Sequence, residues 1–158
     1  MKKIIEFAVV IVVIGVLSIV GLKYFKKFKN TSKIDTSNAQ FTEIINLINS
    51  EMFKCSNNNS DSFVWGGKCK NGITDDMSKN IAIYLVDELE FRNPYDKLNS
   101  ISNKIESNAY IFVLEENADP INNGNIVIVC NKAKGNCSIK IKPGNKIDTL
   151  SAVLTINN

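Results

Sequence analysis

The longest apolar stretch of the chain covers residues 4–22, IIEFAVVIVVIGVLSIVGL, and Glu6 is its only charged side chain. As an α-helix rising about 1.5 Å per residue, this stretch would extend roughly 28 Å, close to the thickness of a bilayer's hydrocarbon core. Strands of this length without turn residues are uncommon, whereas a helix satisfies its own backbone hydrogen bonds in lipid. The pattern therefore predicts a membrane-spanning helix.

Basic residues flank the predicted span on both sides. Lys2 and Lys3 precede it, and residues 23–29, KYFKKFK, combine four lysines with three aromatic side chains, a composition typical of a membrane interface. A cleaved secretory signal is the alternative, but its apolar core usually has only about 7–15 residues, and no Ala-x-Ala site follows here. The lysine counts alone do not decide which end of the span faces the cytoplasm.

A second hydrophobic pattern, with helical spacing, covers residues 38–54. Its apolar residues are Phe41, Ile44, Ile45, Ile48 and Met52. They form one face of an amphipathic helix, which must pack against another part of the chain. Residues 30–32 and 35–37 are poor helix formers, and Ser37 with Gln40 makes a capping box, so a second helix is predicted to begin near residue 38.

Residues 56–73 are polar and punctuated by glycine, and they predict a loop closed by two cysteines. Thr74 followed by two aspartates is typical of a helix N-terminus. This helix is predicted to extend to about Glu90, before an Asn-Pro pair, with its inward residues being Met77, Ile81, Leu85 and Leu89. A short amphipathic turn or helix is predicted to carry Leu98, Ile101 and Ile105.

The end of the chain has the pattern of β-strands. Four are predicted, at residues 110–114, 125–131, 136–142 and 148–156. If residues 132–135 form a hairpin loop, Cys130 lies opposite Cys137 in a non-hydrogen-bonded pair, within disulfide reach. The cysteine face then also carries Ile126, Ile128, Ile139 and Ile141, and the other face carries Val127, Val129, Ser138, Lys140 and Lys142.

Composition narrows the classes of function. The chain has no histidine, which excludes imidazole bases, Cys/His and Ser/His nucleophiles, and nearly all zinc enzymes. Its acidic clusters are Asp75/Asp76, Asp87/Glu88/Glu90 and Glu115/Glu116. They have the pattern of a helix cap and of solvated edges, not of opposed catalytic carboxylates. We therefore predict that the protein is not an enzyme and has no metal or cofactor.

The net charge of +3 is distributed unevenly. Residues 1–29 hold six lysines and one glutamate, for +5, whereas residues 30–158 hold 13 basic and 15 acidic residues, for −2. No acid lies between Asp119 and Asp148, so the predicted hairpin is basic, with lysines Lys132, Lys134, Lys140, Lys142 and Lys146. One hypothesis is that this patch binds DNA phosphates or another anionic surface; the other is that its lysines are ordinary solvated strand residues.

The four cysteines allow three pairings, and local closure favours Cys55–Cys69 with Cys130–Cys137. Zinc is the alternative, but the spacings of 14, 61 and 7 contain no C-x2-C knuckle. Disulfides persist in oxidising compartments, so the body after residue 22 is predicted to lie outside the cytoplasm and the N-terminus inside it.

The N-terminal pattern resembles that of type IV pilins and pseudopilins, in which a Gly-Phe-Thr-Leu-Ile-Glu segment precedes a Val/Ile-rich run with an internal glycine. The matching positions are Ile5-Glu6, Val9-Val10-Ile11 and Ile14-Gly15-Val16-Leu17. The match covers about 20 residues. Two family features are missing: no Gly-Phe precedes the acid, so the prepilin peptidase site is absent, and Lys23 stands where a proline often follows.

The resemblance implies an α+β fold, in which the C-terminal half of a long N-terminal hydrophobic helix packs on a four-stranded antiparallel sheet. It implies a transmembrane and filament-core helix with a basic flank at residues 1–29 and an extracytoplasmic pilin-like domain at residues 30–158. Within that domain the predicted parts are helix 38–54, loop and helix 55–90, and sheet 110–156.

The resemblance also implies a function, that of a structural subunit of an extracellular filament for adhesion, motility or DNA uptake. Such a subunit is inserted in the inner membrane with its N-terminus in the cytoplasm, and the pilus assembly machinery then polymerises it with copies of itself. Glu6 would neutralise the N-terminal amine of an adjoining subunit. This pairing would help to select the stagger between subunits.

Two alternatives stay open. The chain is a minor pilin or pseudopilin that binds DNA or anionic surfaces through the basic hairpin, or it is a single-span anchored protein that never polymerises. The missing Gly-Phe favours an anchored protein. Glu6, together with an amphipathic helix that leads into a disulfide-stapled sheet, favours a filament subunit.

Overall fold

The computed structural model describes residues 2–57, 59–96, 99–103, 109–114, 118–120, 122–145 and 147–155; the side chains of residues 2–9, 13, 15 and 16 lie outside the description. Contacts divide the chain into two units, Met1–Ser32 and Lys33–Asn158. We call the second the globular unit. The sheet and both disulfides belong to it.

Helix α1 (Lys2–Ser56) is one continuous element. The predicted second start near residue 38 is wrong, because the buried Ser37 hydroxyl donates to the Lys33 carbonyl, 3.1 Å away, instead of capping a helix. Thr31 and Thr42 also bond to carbonyls four residues earlier. Hydroxyls used in this way leave the backbone ladder intact, so these weak helix formers do not end the helix.

The predicted apolar face of the later part of α1 is confirmed. Ile44, Ile48 and Met52 are buried in the main core, and Phe41 and Ile45 are partly buried at its edge. This core also contains residues of the second helix and of the sheet. The globular unit is therefore α+β, with helix and sheet sharing one apolar interior.

Gln40 does not form the predicted capping box but links three segments of the globular unit. Its Oε1 accepts a hydrogen bond from the Tyr110 hydroxyl at 3.0 Å, and its Nε2 donates to the Arg92 carbonyl at 3.1 Å. Burial raises the pKa of the Tyr110 hydroxyl well above its usual value. Tyr110 therefore remains a neutral donor to Gln40 at physiological pH.

Helix α2 (Met77–Asp87) is shorter at both ends than predicted. Three of its predicted inward residues, Met77, Ile81 and Leu85, are buried, as expected from their spacing. The Thr74 cap is wrong: the Thr74 carbonyl accepts a turn hydrogen bond from the Met77 N–H at 3.1 Å, and the N-cap position, Asp76, makes no side-chain capping bond.

Among the residues that the structure describes, the sheet has five strands in the order β1-β2-β3-β4-β5. Their bounds are β1 Ile101–Ser102, β2 Ile111–Val113, β3 Ile126–Asn131, β4 Asn136–Ile141 and β5 Leu150–Thr155. β1, β2 and β3 run parallel to one another, whereas β4 is antiparallel to both of its neighbours, β3 and β5. The predicted four-stranded antiparallel sheet is therefore wrong in strand number and direction. β2 and β3 are joined by a crossover and not by a hairpin turn, because neighbouring parallel strands cannot be connected by a tight turn.

The first strand replaces part of a predicted element. Ile101 was predicted in a short amphipathic turn or helix with Leu98 and Ile105, but it pairs with Ile111 in parallel register. Leu98 and Ile105 lie outside the described residues. A two-residue strand has too short a pattern to be recognised in sequence, because its pairing is decided by a distant partner.

The β3–β4 hairpin has the predicted register, with Cys130 opposite Cys137 and Asn131 opposite Asn136. Its isoleucines, Ile126, Ile128, Ile139 and Ile141, are buried in the main core. The other face differs from the solvated one expected for its lysines: Val127 and Val129 are buried in a second, smaller cluster with Ala109 and Phe112. Strand β3 is therefore covered on both faces.

Candidate functional site

The unit Met1–Ser32 presents apolar side chains to its surroundings. Between residues 10 and 22, the described apolar side chains with 45% to 65% of their surface exposed are Val10, Ile11, Val12, Ile14, Leu17, Ile19, Val20 and Leu22. Further along the same helix, the side chains of Tyr24, Phe25 and Phe28 are also exposed. Helices that are apolar on all sides are normally buried in lipid or protein. This surface is therefore the candidate assembly site of the chain.

The predicted span and its acid fall largely on side chains outside the description. Glu6 lies within the backbone limits of α1, but its side chain is not among those described. In the part of the chain that the structure describes, no helix combines the length and hydropathy needed to cross a bilayer. The membrane span and the assembly role of Glu6 stay predictions.

The two predicted disulfides, Cys55–Cys69 and Cys130–Cys137, are present, and they leave no cysteine free. Their Cα atoms are 5.1 Å and 3.9 Å apart. The first joins the end of α1 to the loop before α2, and the second crosses the β3–β4 hairpin. The hairpin is also attached to α2, because the Cys130 N–H donates to the buried Ser78 hydroxyl at 2.7 Å.

Both disulfides should be detected by intact mass. The non-reduced protein is expected to be lighter than the reduced protein by four hydrogen atoms, because each of the two bridges removes two. Peptide mapping should then show one bridge between Cys55 and Cys69 and the other between Cys130 and Cys137. A mass that matches four free thiols would contradict the pairing and, with it, the predicted extracytoplasmic location.

The loop after α1 is more ordered than its polar composition indicates. Glu51, only 2% exposed, accepts hydrogen bonds from the Val64 N–H at 2.9 Å and from Lys54. Phe63 and Trp65 are buried and stack with ring centroids 5.2 Å apart. The sequence analysis did not predict the packing of this loop. The one signal for it was the apolar triplet at residues 63–65 within a polar segment.

The predicted basic patch is only partly assembled. Lys132 and Lys134 are exposed in the hairpin loop, and Lys142 is half-buried. Lys140 is 18% exposed and donates to the Asp119 carboxylate at 2.7 Å, so its charge is paired. Lys146 lies outside the described residues. The structure therefore places two of the five lysines together on an exposed loop.

A cleft of about 1020 Å³ lies beside this loop, between the hairpin and the start of α2. Lys132 and Lys79 line it together with Asp75 and Asp76. A phosphate that approached Lys132 would thus meet two carboxylates as well as two cations. This mixture of charge disfavours the cleft as a binding site for a polyanion.

No protein-family model matches the chain, and searches of curated proteins and of solved structures find no similar protein. The exposed apolar unit and the disulfide-stapled globular unit therefore provide the basis for assigning a function.

Proposed function

We propose that the protein is the structural subunit of a type IV pilus-like filament, assembled through the first part of α1. The observation that carries this proposal is the exposed apolar surface of Met1–Ser32, on a helix that continues into a disulfide-stapled α+β unit. Transfer of this much exposed apolar surface from water to lipid, or to contacts with other helices, is energetically favourable. A filament subunit uses both environments in turn.

In this proposal, residues 4–22 first hold the chain in the inner membrane with the N-terminus in the cytoplasm. The globular unit then lies on the oxidising side, where Cys55–Cys69 and Cys130–Cys137 form. During assembly the apolar helices of several copies pack together and replace lipid contacts. Glu6 pairs with the N-terminal amine of an adjoining copy, so that neither charge is left alone in an apolar bundle.

Binding of DNA or an anionic surface through the hairpin is the second candidate, and the exposed Lys132 and Lys134 favour it. The Lys140–Asp119 pair and the acids of the neighbouring cleft weaken it. A minor pilin could combine this activity with assembly. The structure gives more support to assembly, because the exposed apolar surface is far more extensive than the loop surface formed by these two exposed lysines.

Electron microscopy of filaments sheared from the cells that produce the protein tests the proposal. We expect thin filaments whose subunit, identified by mass spectrometry, is this chain with both disulfides intact. Mass spectrometry of the subunit's N-terminus would show in the same sample how the chain is processed. If the chain stays in the membrane fraction and no filament contains it, the non-polymerising anchor replaces the filament subunit.

A further inference from the structure

Strand β5 lies at an edge of the sheet. Within the described part of the chain it pairs with β4 on one side and with no strand on the other. The opposite edge is β1, whose two residues offer little backbone to a further strand. An edge strand presents backbone N–H and C=O groups that a strand from another chain can bond. The proposed function gives the β5 edge no role.

The alternation of hydrogen bonds across the sheet identifies the residues of β5 that face outward. Antiparallel neighbours alternate between hydrogen-bonded and non-hydrogen-bonded pairs. The Lys142 N–H donates to the Asn125 carbonyl at 3.3 Å, so the hydrogen-bonded pairs of β3 and β4 are counted from this one. The β4 residues between them bond instead to β5, where their partners are Leu150, Ala152 and Leu154. The residues whose backbone groups point to the outer edge are therefore Ser151, Val153 and Thr155.

The side chains of these three outward-facing residues are also accessible. Ser151, Val153 and Thr155 are all exposed, and Val153 has 60% of its surface exposed. The alternate residues Leu150 and Leu154 pack in the main core instead. A further strand can therefore bond to this edge without any change in the pairing of β4 with β5.

The sequence of this edge lacks the usual protection against pairing. Residues 149–155, TLSAVLT, contain no charged residue, no proline and no glycine. Natural edge strands commonly avoid association through lysine, proline, a bulge or short length. Uncharged segments rich in β-branched and aliphatic residues favour strand pairing. The β5 edge therefore has the composition of a strand that accepts a partner.

A second copy of β5 in the antiparallel direction fits this edge. A twofold axis at Val153 places Val153 opposite Val153 of the other copy, and Ser151 opposite Thr155. All of these are hydrogen-bonded pairs, because the backbone groups of the three residues point outward in both copies. The side chains then meet as apolar with apolar and hydroxyl with hydroxyl, both favourable pairs across strands. No like charges are brought together.

We propose that β5 is a self-association surface, at which two copies of the chain pair edge to edge around Val153. The described strands of the two copies then form one continuous sheet. A contact of this symmetry uses the same surface on both copies and closes after two. It is therefore separate from the proposed filament contacts of α1, which must repeat without closing, and it does not rest on them.

Cysteine cross-linking of the full chain in detergent micelles tests this contact. The Cα atoms of a hydrogen-bonded pair lie about 5.5 Å apart, which is within disulfide reach. Val153→Cys should therefore form a disulfide-linked dimer as its main species under mild oxidation, detected by non-reducing electrophoresis. Peptide mapping of the dimer should show the new bridge together with intact Cys55–Cys69 and Cys130–Cys137.

Ser151→Cys is the matched control, because it places a thiol on the same exposed face of β5. In the proposed register its two copies are four residues apart along the strands, or roughly 14 Å. Ser151→Cys alone should therefore stay uncross-linked. Mixed with an equal amount of Thr155→Cys, it should form the mixed dimer, because these two positions lie opposite each other.

Variants without an added thiol test the same contact by sedimentation. Val153→Lys should weaken dimerisation about tenfold at low salt, because two lysines meet at the axis and the apolar pair is lost. Added salt should recover part of this loss. Val153→Thr, which stays β-branched and uncharged, should leave dimerisation within about threefold. The comparison between variants is the measurement, since α1 can also bring copies together in a micelle.

The outcomes separate self-pairing from other uses of the edge and from the filament proposal. Equal cross-linking of Val153→Cys and Ser151→Cys, or an unchanged dimer in Val153→Lys, would overturn the contact. If no cysteine variant cross-links, self-pairing is wrong and the edge is left to an extended segment of a different protein. Filaments without the cross-link would leave the filament proposal standing, and the cross-link without filaments would leave the β5 contact standing.

Discussion

Replacing Gly124 by alanine should lower the free energy of unfolding of the globular unit by about 3 kcal/mol or more. Gly124 has φ +80°, a conformation in which side chains with a Cβ atom are strained. An added Cβ would also lie 2.2 Å from the Oδ1 atom and 2.9 Å from the Cγ atom of Asn93. Both distances are well inside van der Waals contact, so either the loop or Asn93 must move.

Asn93 has little freedom to move, because it is 1% exposed and fully engaged in hydrogen bonds. Its Nδ2 donates to the Asn123 carbonyl at 3.1 Å and to the Asn125 Oδ1 at 3.0 Å, and its Oδ1 accepts from the Tyr95 N–H at 2.9 Å. These bonds hold the segment after α2 against the entry to β3. Displacing Asn93 would leave buried polar atoms unpaired, which adds to the destabilisation.

Gly135 supplies the matched control for this prediction. It also has positive φ, at +61°, but an added Cβ would meet nothing within 4 Å. Gly135→Ala should therefore cost only the backbone strain, about 1–2 kcal/mol. Chemical denaturation of the oxidised full chain, followed by Trp65 fluorescence, compares the two variants. Equal destabilisation by Gly124→Ala and Gly135→Ala would show that the Asn93 contact has no energetic role.

The parts of the fold that could be predicted are those in which the deciding contacts are close in sequence. The register of the β3–β4 hairpin followed from a four-residue loop, the Cys130–Cys137 pair and alternating isoleucines. The buried side of α2 followed from the 3.6-residue spacing of Met77, Ile81 and Leu85. In both cases a local period was enough to choose the face that is buried.

The parts that could not be predicted depend on distant partners. β1 and β2 are short, and their parallel pairing requires crossovers whose path no local pattern specifies. Asn93 was expected only to help end a helix, yet its side chain joins two segments about 30 residues apart in the chain. Trp65 and Phe63 were hidden in a polar loop, because they pack in the main core with residues that are distant in sequence.

Replacing Glu6 by alanine should leave the chain in the membrane but with few filaments. In the proposed assembly, the substitution leaves the amine of the adjoining copy without a counter-charge in an apolar bundle. Removing one partner of a buried ion pair costs about 3–5 kcal/mol. At each subunit addition this is a loss of roughly a hundredfold or more in the association constant. Since every subunit makes the contact, the loss should reduce the number of filaments sharply.

The charge of Glu6, and not the size of its side chain, should be responsible for the effect. Glu6→Gln, which keeps the size and removes the charge, should therefore also yield few filaments. Glu43→Ala removes an exposed acid from α1 within the globular unit and should leave filament numbers unchanged. Immunoblots of membrane fractions and intact masses should show equal amounts of oxidised chain in all three variants. Normal piliation in Glu6→Ala cells would refute the assembly role, because a charge that can be deleted without effect does not pair with an amine buried between subunits.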